Sequence, residues 1–309
     1  MHVLGHRTQI HLVRAYEENY FRVLKDAGYH IAFFGKNDVF SEASFNFSVS
    51  EWKNTIGFDS GHNAFNFNQS GYYSMLSTGG NMLYNDTKNG DYAAIDAALE
   101  FLKNPVEPFV LFLPTRGAHP PYGAPRGFQD KITIEEVRNS VKLRPRNLVG
   151  KPKYHSSDVG IPHYRNLTYL DDGVFLEIQR SYLSMISYMD YNFGRLLDGL
   201  DSDSDLSSRT VVAMSSDHGD FGGDFGLVEK YPGAADDVLT RVPMILRAPN
   251  GARGKRIKTP VQTADILETF LDLAGVESDF VRFGISQKTQ IMSSSSSTEE
   301  VDTNRYVYR

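Results

Sequence analysis

The sequence predicts an α/β fold, a β-sheet flanked by helices, and three observations carry that prediction. Short β-branched and apolar runs at Tyr29–Phe34, Phe109–Leu113 and Thr210–Met214 have the length and composition of buried strands. Amphipathic helical periods are interspersed with them along the chain. Each of the three runs also stops abruptly in polar residues, and in open α/β sheets chemistry gathers beyond the carboxyl ends of the strands.

The 309 residues are 40% hydrophobic and 23% charged, an ordinary globular composition with length enough for one large domain. A net charge of −6 without any Lys/Arg run argues against a nucleic-acid surface. No apolar stretch is long enough to span a bilayer, and Met1-His-Val-Leu-Gly-His-Arg7 lacks the apolar core of a signal peptide. The absence of cysteine excludes disulfides, zinc-thiolate sites and a cysteine nucleophile. Asn-x-Ser/Thr sequons occur at Asn46, Asn68, Asn85 and Asn166, a pattern that chance also supplies.

Taken in order, Ile10 to Ala27 has apolar residues three or four apart and predicts an amphipathic helix stopped by Gly28. The strand Tyr29–Phe34 follows and presents Lys36 at its end, a residue that alone reads as a solvated loop lysine. Ser41 to Gly90 lacks a period and reads as an irregular excursion with a short hairpin around Gly71 to Met75, the kind of segment on which α/β enzymes carry specificity. Asp91 to Leu102 predicts a helix, and Phe109–Leu113 a buried strand. That strand runs into a proline-rich loop, Pro114 to Pro125, whose stiffness would hold the imidazole of His119 still; a surface histidine is the blander reading.

Lys131 to Asn166 is polar and basic without interleaved aromatics, hence a solvated loop or insertion rather than a nucleic-acid surface. A helix from Tyr182 to Leu200 precedes the strand Thr210–Met214, which ends in Ser215-Ser216-Asp217-His218-Gly219. An acid, an imidazole and a glycine at a strand end read as a delivered ligand pair, although a turn after a core strand explains most such tripeptides. Lys230 follows beyond the Gly222-Gly223 turn. A strand Val242–Arg247 and a helix Ala264–Ala274, ended by Gly275, close the regular part. The serine run Ser293 to Ser297 predicts a linker, and Tyr306-Val-Tyr308-Arg309 the beginning of a strand.

Lys36, His119, Asp217-His218 and Lys230 together make two cations, an imidazole and a metal-ligand pair. A site that holds a multiply oxygenated anion and neutralises its leaving group needs such a set. Gly5-His-Arg7, Leu24-Lys-Asp-Ala-Gly-Tyr-His-Ile-Ala-Phe-Phe-Gly-Lys36, His119-Pro-Pro-Tyr122 with Pro125, Ser216-Asp-His-Gly219, and Glu229-Lys230 followed by Arg241-Val-Pro-Met-Ile-Leu resemble, in order, the sulfatase family of the alkaline-phosphatase-like superfamily.

The resemblance implies a sandwich with a mixed central β-sheet flanked by helices, and hydrolysis of sulfate esters, sulfuric ester hydrolase chemistry. It implies that Asp217 and His218 form half of a calcium site, that Lys36 and Lys230 contact the sulfate, and that His119 hydrogen-bonds the ester and protonates the leaving oxygen. The sequence also departs from the family. The formylglycine motif Cys/Ser-x-Pro-x-Arg is absent, and Pro114-Thr-Arg116 has Phe112 where the nucleophile would stand. Asp38 stands where many members have a histidine, and the paired metal-binding aspartates are lacking.

The expected organisation is therefore residues 1–275 as a catalytic domain without its first strand and nucleophile segment. Residues 276–309 would be a Ser-rich linker and the start of an incomplete C-terminal subdomain. Turnover by this chain alone is not expected. A non-catalytic binder of sulfated glycans and a metal-dependent phosphoesterase of the same superfamily are the alternatives. The expected partner is a sulfated small molecule or glycan, with no nucleic acid and no membrane span. The resemblance places the protein in a secreted, lysosomal or other extracytoplasmic setting if a signal peptide precedes it.

Overall fold

The computed structural model describes residues 12–55, 68–76, 90–143, 150–156, 159–231, 233–279 and 282–293. Its centre is strand β1, His30–Phe34, flanked in parallel by β2, Glu51–Lys53, and β3, Phe109–Phe112. Ile31, Ala32, Phe33 and Phe34 are all buried, as a parallel strand covered on both faces requires. Alternation along β1 sends Ile31 and Phe33 to one layer, where they meet Phe21 and Leu24 of helix Tyr20–Asp26 and Leu271 of helix Ala264–Ala274. Ala32 and Phe34 go to the other, against Ala98 of helix Gly90–Leu102 and Leu196 of the long helix Asp172–Asp201. The first layer is aromatic: Phe21, Phe33, Phe40, Phe45 and Phe112 pack with centroids 5.1 to 6.3 Å apart. Burying each such ring stabilises the fold by about 1.5–3 kcal/mol.

The antiparallel part is a separate pair, β4, Val212–Ser215, against β5, Met244–Arg247. Parallel and antiparallel pairing are thus both present, divided among the described residues between two sheets. The strands at 109–112 and 212–215 differ from expectation in burial, since every residue of both is only half-buried. Among the described residues each pairs along one edge alone, β3 with β1 and β4 with β5.

Several elements start or end elsewhere than the periodicity predicts. The helix expected from Ile10 begins at Tyr20, because Asn19 takes an extended backbone and its side chain caps Arg22 N at 3.1 Å. Val13 instead bridges to Phe40, with its N–H on Val39 O at 2.8 Å. The helix expected at Tyr182 begins ten residues earlier, at Asp172, where Asp171 accepts from Val174 N. The excursion 41–90 holds a helix, Glu42–Ser48, as well as β2, and Gln69 and Tyr72 pair across Gly71 as a small hairpin. The basic insertion 131–166 includes a helix, Ile134–Ser140, closed by a capping box between Thr133 and Glu136. The linker and the final strand expected after Ser293 lie outside the described residues.

Candidate active site

The tips of β1 and β3 are locked together. Gly35 has φ 135°, and an added Cβ would lie 2.3 Å from the Pro114 carbonyl oxygen, so only glycine lets the two strand ends approach. Lys36 N donates to that carbonyl at 2.8 Å, and Lys36 Nζ meets Asp38 Oδ2 at 2.7 Å. Beyond β3, buried Asp91 in the first turn of its helix accepts from Arg116 N at 2.7 Å and Gly117 N at 2.9 Å, which shapes the approach to His119.

His119 Nδ1 lies 2.7 Å from Pro120 O, which can only accept. The hydrogen-bond network therefore assigns the ring proton to Nδ1 and leaves a lone pair on Nε2. Nε2 faces Lys230 Nζ at 2.6 Å. Burial, followed by the positive charges of Lys230 and Lys36, pushes the His119 pKa below its ordinary 6.5; Glu229 and the Pro120 contact oppose the shift. Lys36 is therefore within electrostatic reach of the His119–Lys230 pair. An NMR titration of His119 should show a midpoint below 6.5, rising in Lys230→Met. No upward movement would mean that Lys230 does not act on the ring. Because the folded pKa is depressed relative to the unfolded chain, His119 costs stability as pH falls through about 6.5.

Lys230 rides on a loop that begins at the end of β4. Gly219 packs against the backbone at Val238, whose carbonyl oxygen an added Cβ would meet at 2.0 Å, and Phe221, Phe225, Leu227 and Val228 bury the loop's apolar side. Asp220 keeps part of its residue surface in solvent, yet three donors enclose its carboxyl: Tyr122 Oη at 2.9 Å, Gly222 N at 2.7 Å and Glu229 N at 3.0 Å. Desolvation pushes that carboxyl up to about 6, against the pull of these hydrogen bonds. Tyr122 is fully buried and stands three residues after His119, so the Tyr122–Asp220 contact joins the histidine loop to the lysine loop.

Glu229 has φ 63°, a left-handed backbone that costs a non-glycine residue about 1–3 kcal/mol. Its carboxylate lies inside the cluster: Oε1 is 3.2 Å from Lys230 Nζ and 3.5 Å from His119 Nε2, while Oε2 is 3.3 Å from an Arg165 guanidinium nitrogen. Glu229, Arg165, Tyr122 and Asp220 are not singled out by sequence reasoning, although Tyr122 and Glu229 stand inside the quoted motifs.

Asp217 and His218 sit directly after β4, and among the described residues no hydrogen bond or ion pair joins them to Lys36, His119 or Lys230. Asp217 is 86% exposed, and its Oδ2 is 3.5 Å from His218 Nε2. His218 Nδ1 lies 2.7 Å from Gly219 O, which leaves Nε2 as the nitrogen facing Asp217. Among the described residues no group of three or more His, Cys, Asp or Glu side chains could hold a metal ion. Calcium takes six to eight oxygens. One carboxylate and one imidazole do not make that shell, so the pair is at most part of a site.

Parallel strands between helices, with Lys36 after β1 and the His119–Lys230 contact in the loops beyond β3 and β4, define an α/β protein with its polar residues clustered beyond strand ends. The chain belongs to the sulfatase family, whose model matches residues 2–276. A sulfatase from Formosa agariphila is 29% identical over 205 residues, covering 62% of this chain and 38% of the relative. The chain therefore spans well under half of that relative's length. A solved protein in complex with its substrate D-glucosamine-2-N,6-O-disulfate has the same fold, with a TM-score of 0.63 and 20% identity over 95% of this chain and 68% of the other. So does the phosphonate monoester hydrolase of Agrobacterium radiobacter, at 0.68 and 16%, covering 96% and 66%. No described helix is long and apolar enough to cross a membrane.

Proposed function

We propose that this chain is the anion-holding body of a sulfuric ester hydrolase, binding a sulfate ester at Lys36, His119 and Lys230. The observation that carries the reading is the 2.6 Å contact between Lys230 Nζ and the unprotonated Nε2 of His119, within reach of the Lys36 charge. The two lysines bind sulfate oxygens through charge-assisted hydrogen bonds. His119 Nε2, its ring fixed by Pro120, accepts a hydrogen bond from the Lys230 ammonium and is the ring atom placed to hydrogen-bond the ester's leaving oxygen. The sequence holds no Cys/Ser-x-Pro-x-Arg motif, and Phe112, two residues before Pro114-Thr-Arg116, packs against Phe21 and Phe33 in the core, so the isolated chain is read as binding without turnover.

A sulfated sugar is the proposed partner, because a protein of this fold is bound to a sulfated glucosamine as its substrate. We also propose calcium as the family's ion, with Asp217 and His218 giving it part of its shell and other ligands coming from outside the described residues; no step above depends on it. The exposed Asn46 of the Asn-Phe-Ser sequon fits a secreted or lysosomal setting. The likeness to a phosphonate monoester hydrolase favours, as second reading, a phosphoester-type substrate in the same site.

The test is an NMR titration with D-glucosamine 6-sulfate beside unsulfated glucosamine, with free sulfate followed by ion chromatography. Saturable binding of the sulfated sugar alone, weakening with salt and without sulfate release, is expected. Equal binding of glucosamine would remove the oxyanion role from the lysines. Sulfate release would show that the chain does carry a nucleophile.

A further inference from the structure

We propose that Asp236 is a positioning residue that holds Lys230 against His119, by fastening segment 150–156 of the basic insertion onto the lysine loop. Its functional meaning rests on the oxyanion reading above, whereas the geometry stands without it. The lysine loop is closed where Gly219 N donates to Leu239 O at 2.8 Å. On the amino side of Lys230 the chain is held by Asp220, which accepts from Glu229 N, and by Phe221 N, which donates to Glu229 O at 3.1 Å. On the carboxyl side the chain turns at Tyr231, where Ala234 N meets Tyr231 O at 3.1 Å, and reaches Asp236 two residues later. Among the described residues no hydrogen bond or ion pair joins Asp236 to Lys230 or His119, so its influence on them must pass through this loop.

The Asp236 side chain is 6% exposed and takes three donors from one short segment: Lys151 Nζ at 2.8 Å on Oδ1, with Tyr154 Oη at 2.7 Å and His155 Nε2 at 3.1 Å on Oδ2. Burial alone would raise its pKa, but the bonds from Lys151, Tyr154 and His155 outweigh burial and hold it below the ordinary 3.8, so Asp236 is an ionised acceptor. The same segment grips the lysine loop through its rings. Tyr154 stacks on Tyr231, the residue after Lys230, with centroids 6.1 Å apart. His155 meets Phe225 edge-on at 4.7 Å and Phe221 at 6.0 Å, and Lys151 Nζ lies 4.3 Å from the centre of the Phe225 ring. His155 is buried, and its Nδ1 has no hydrogen-bond partner among the described residues, so Asp236 and these rings alone set the place of the imidazole. Asp220 thus fixes the chain before Lys230, and Asp236 fixes the chain after it.

The experiment follows the His119 titration by NMR, without ligand, in Asp236→Ala, Asp236→Asn and Tyr154→Leu, each alone and combined with Lys230→Met. In Asp236→Ala the midpoint should move up toward its value in Lys230→Met, because the displaced ammonium no longer opposes protonation of the ring. Asp236→Asn keeps one acceptor and should move it less. Loss of a carboxylate by itself would move the midpoint down, so the sign separates displacement of Lys230 from the missing charge. Tyr154→Leu, at a half-buried position, removes one donor and the stack on Tyr231, should also raise the midpoint, and keeps the test decisive if Asp236→Ala fails to fold. In Lys230→Met the same substitutions should leave His119 unmoved. An unchanged midpoint beside a lower urea midpoint would make Asp236 merely structural, and an upward shift that persists in Lys230→Met would mean that the ring had gained solvent; either overturns the proposal. Titration of the unmodified chain with D-glucosamine 6-sulfate is read separately: absence of binding there would remove the oxyanion reading and leave the positioning of Lys230 standing on the His119 shifts.

Discussion

Replacing Asp220 with alanine is expected to destabilise the chain by about 3 kcal/mol and to separate His119 from Lys230. The estimate counts what the carboxyl satisfies. Tyr122 Oη, Gly222 N and Glu229 N all donate to it, and Tyr122 is fully buried. A buried donor left unmet costs about 1–3 kcal/mol, and Tyr122 Oη, which also accepts from Glu229 N at 3.0 Å, limits the loss at that amide. Against this stands the cost of enclosing a carboxylate, visible in a pKa pushed up to about 6. Asp220→Asn removes that charge and keeps one acceptor, so it should lose clearly less stability than the alanine variant. Urea unfolding measures both losses, and the His119 titration reports whether Lys230 still faces the ring. If Asp220→Ala costs less than about 1 kcal/mol, other acceptors serve these donors, and the link between the loops lies elsewhere.

Lys230→Met is the second large expectation: binding of D-glucosamine 6-sulfate should weaken by roughly 100-fold, since a hydrogen bond to a charged group contributes about 1.5–3 kcal/mol. The change removes the cation, preserves the apolar stem and leaves Arg165 as the remaining permanent cation on Glu229 among the described residues, so the local potential turns against an anion. Isothermal titration at low salt provides the number. A loss of less than threefold would assign anion binding to Lys36 and Arg165 instead.

Much of this site is legible in the sequence because strand ends are. A run such as Tyr29–Phe34 cannot continue through Gly35-Lys36, so the sequence sets Lys36, His119 and Asp217 beyond strand ends, and the structure has Lys36 and Asp217 shortly after β1 and β4 and His119 in the loop beyond β3. Their partners could not. Arg165 reaches Glu229 across 64 positions and Tyr122 reaches Asp220 across 98, and no local pattern records such a pairing. The fold shows the same division. The helix from Asp91 was visible in its own period, whereas the helix expected from Ile10 was cut at Asn19 by a side-chain cap and a bridge to Phe40, both of which compete with helical propensity. Strand β2 is three residues long, too short for any periodicity to reveal. Half a metal shell is equally hard to tell from a turn by sequence, because the tripeptide Asp217-His218-Gly219 is the same in either case.

The one-sided pairing of β3 and β4 also governs how this polypeptide behaves in bulk. Among the described residues, Phe109-Val-Leu-Phe112 and Val212-Ala-Met-Ser215 each leave one row of backbone donors and acceptors without a strand partner, beside apolar side chains that are only half covered. Such an edge is a template for recruiting further strands, and neither run carries the lysine or proline that guards exposed edges elsewhere. Size-exclusion chromatography across a concentration series is therefore expected to show self-association of these 309 residues, and an unchanged monomer would mean that the edges are covered.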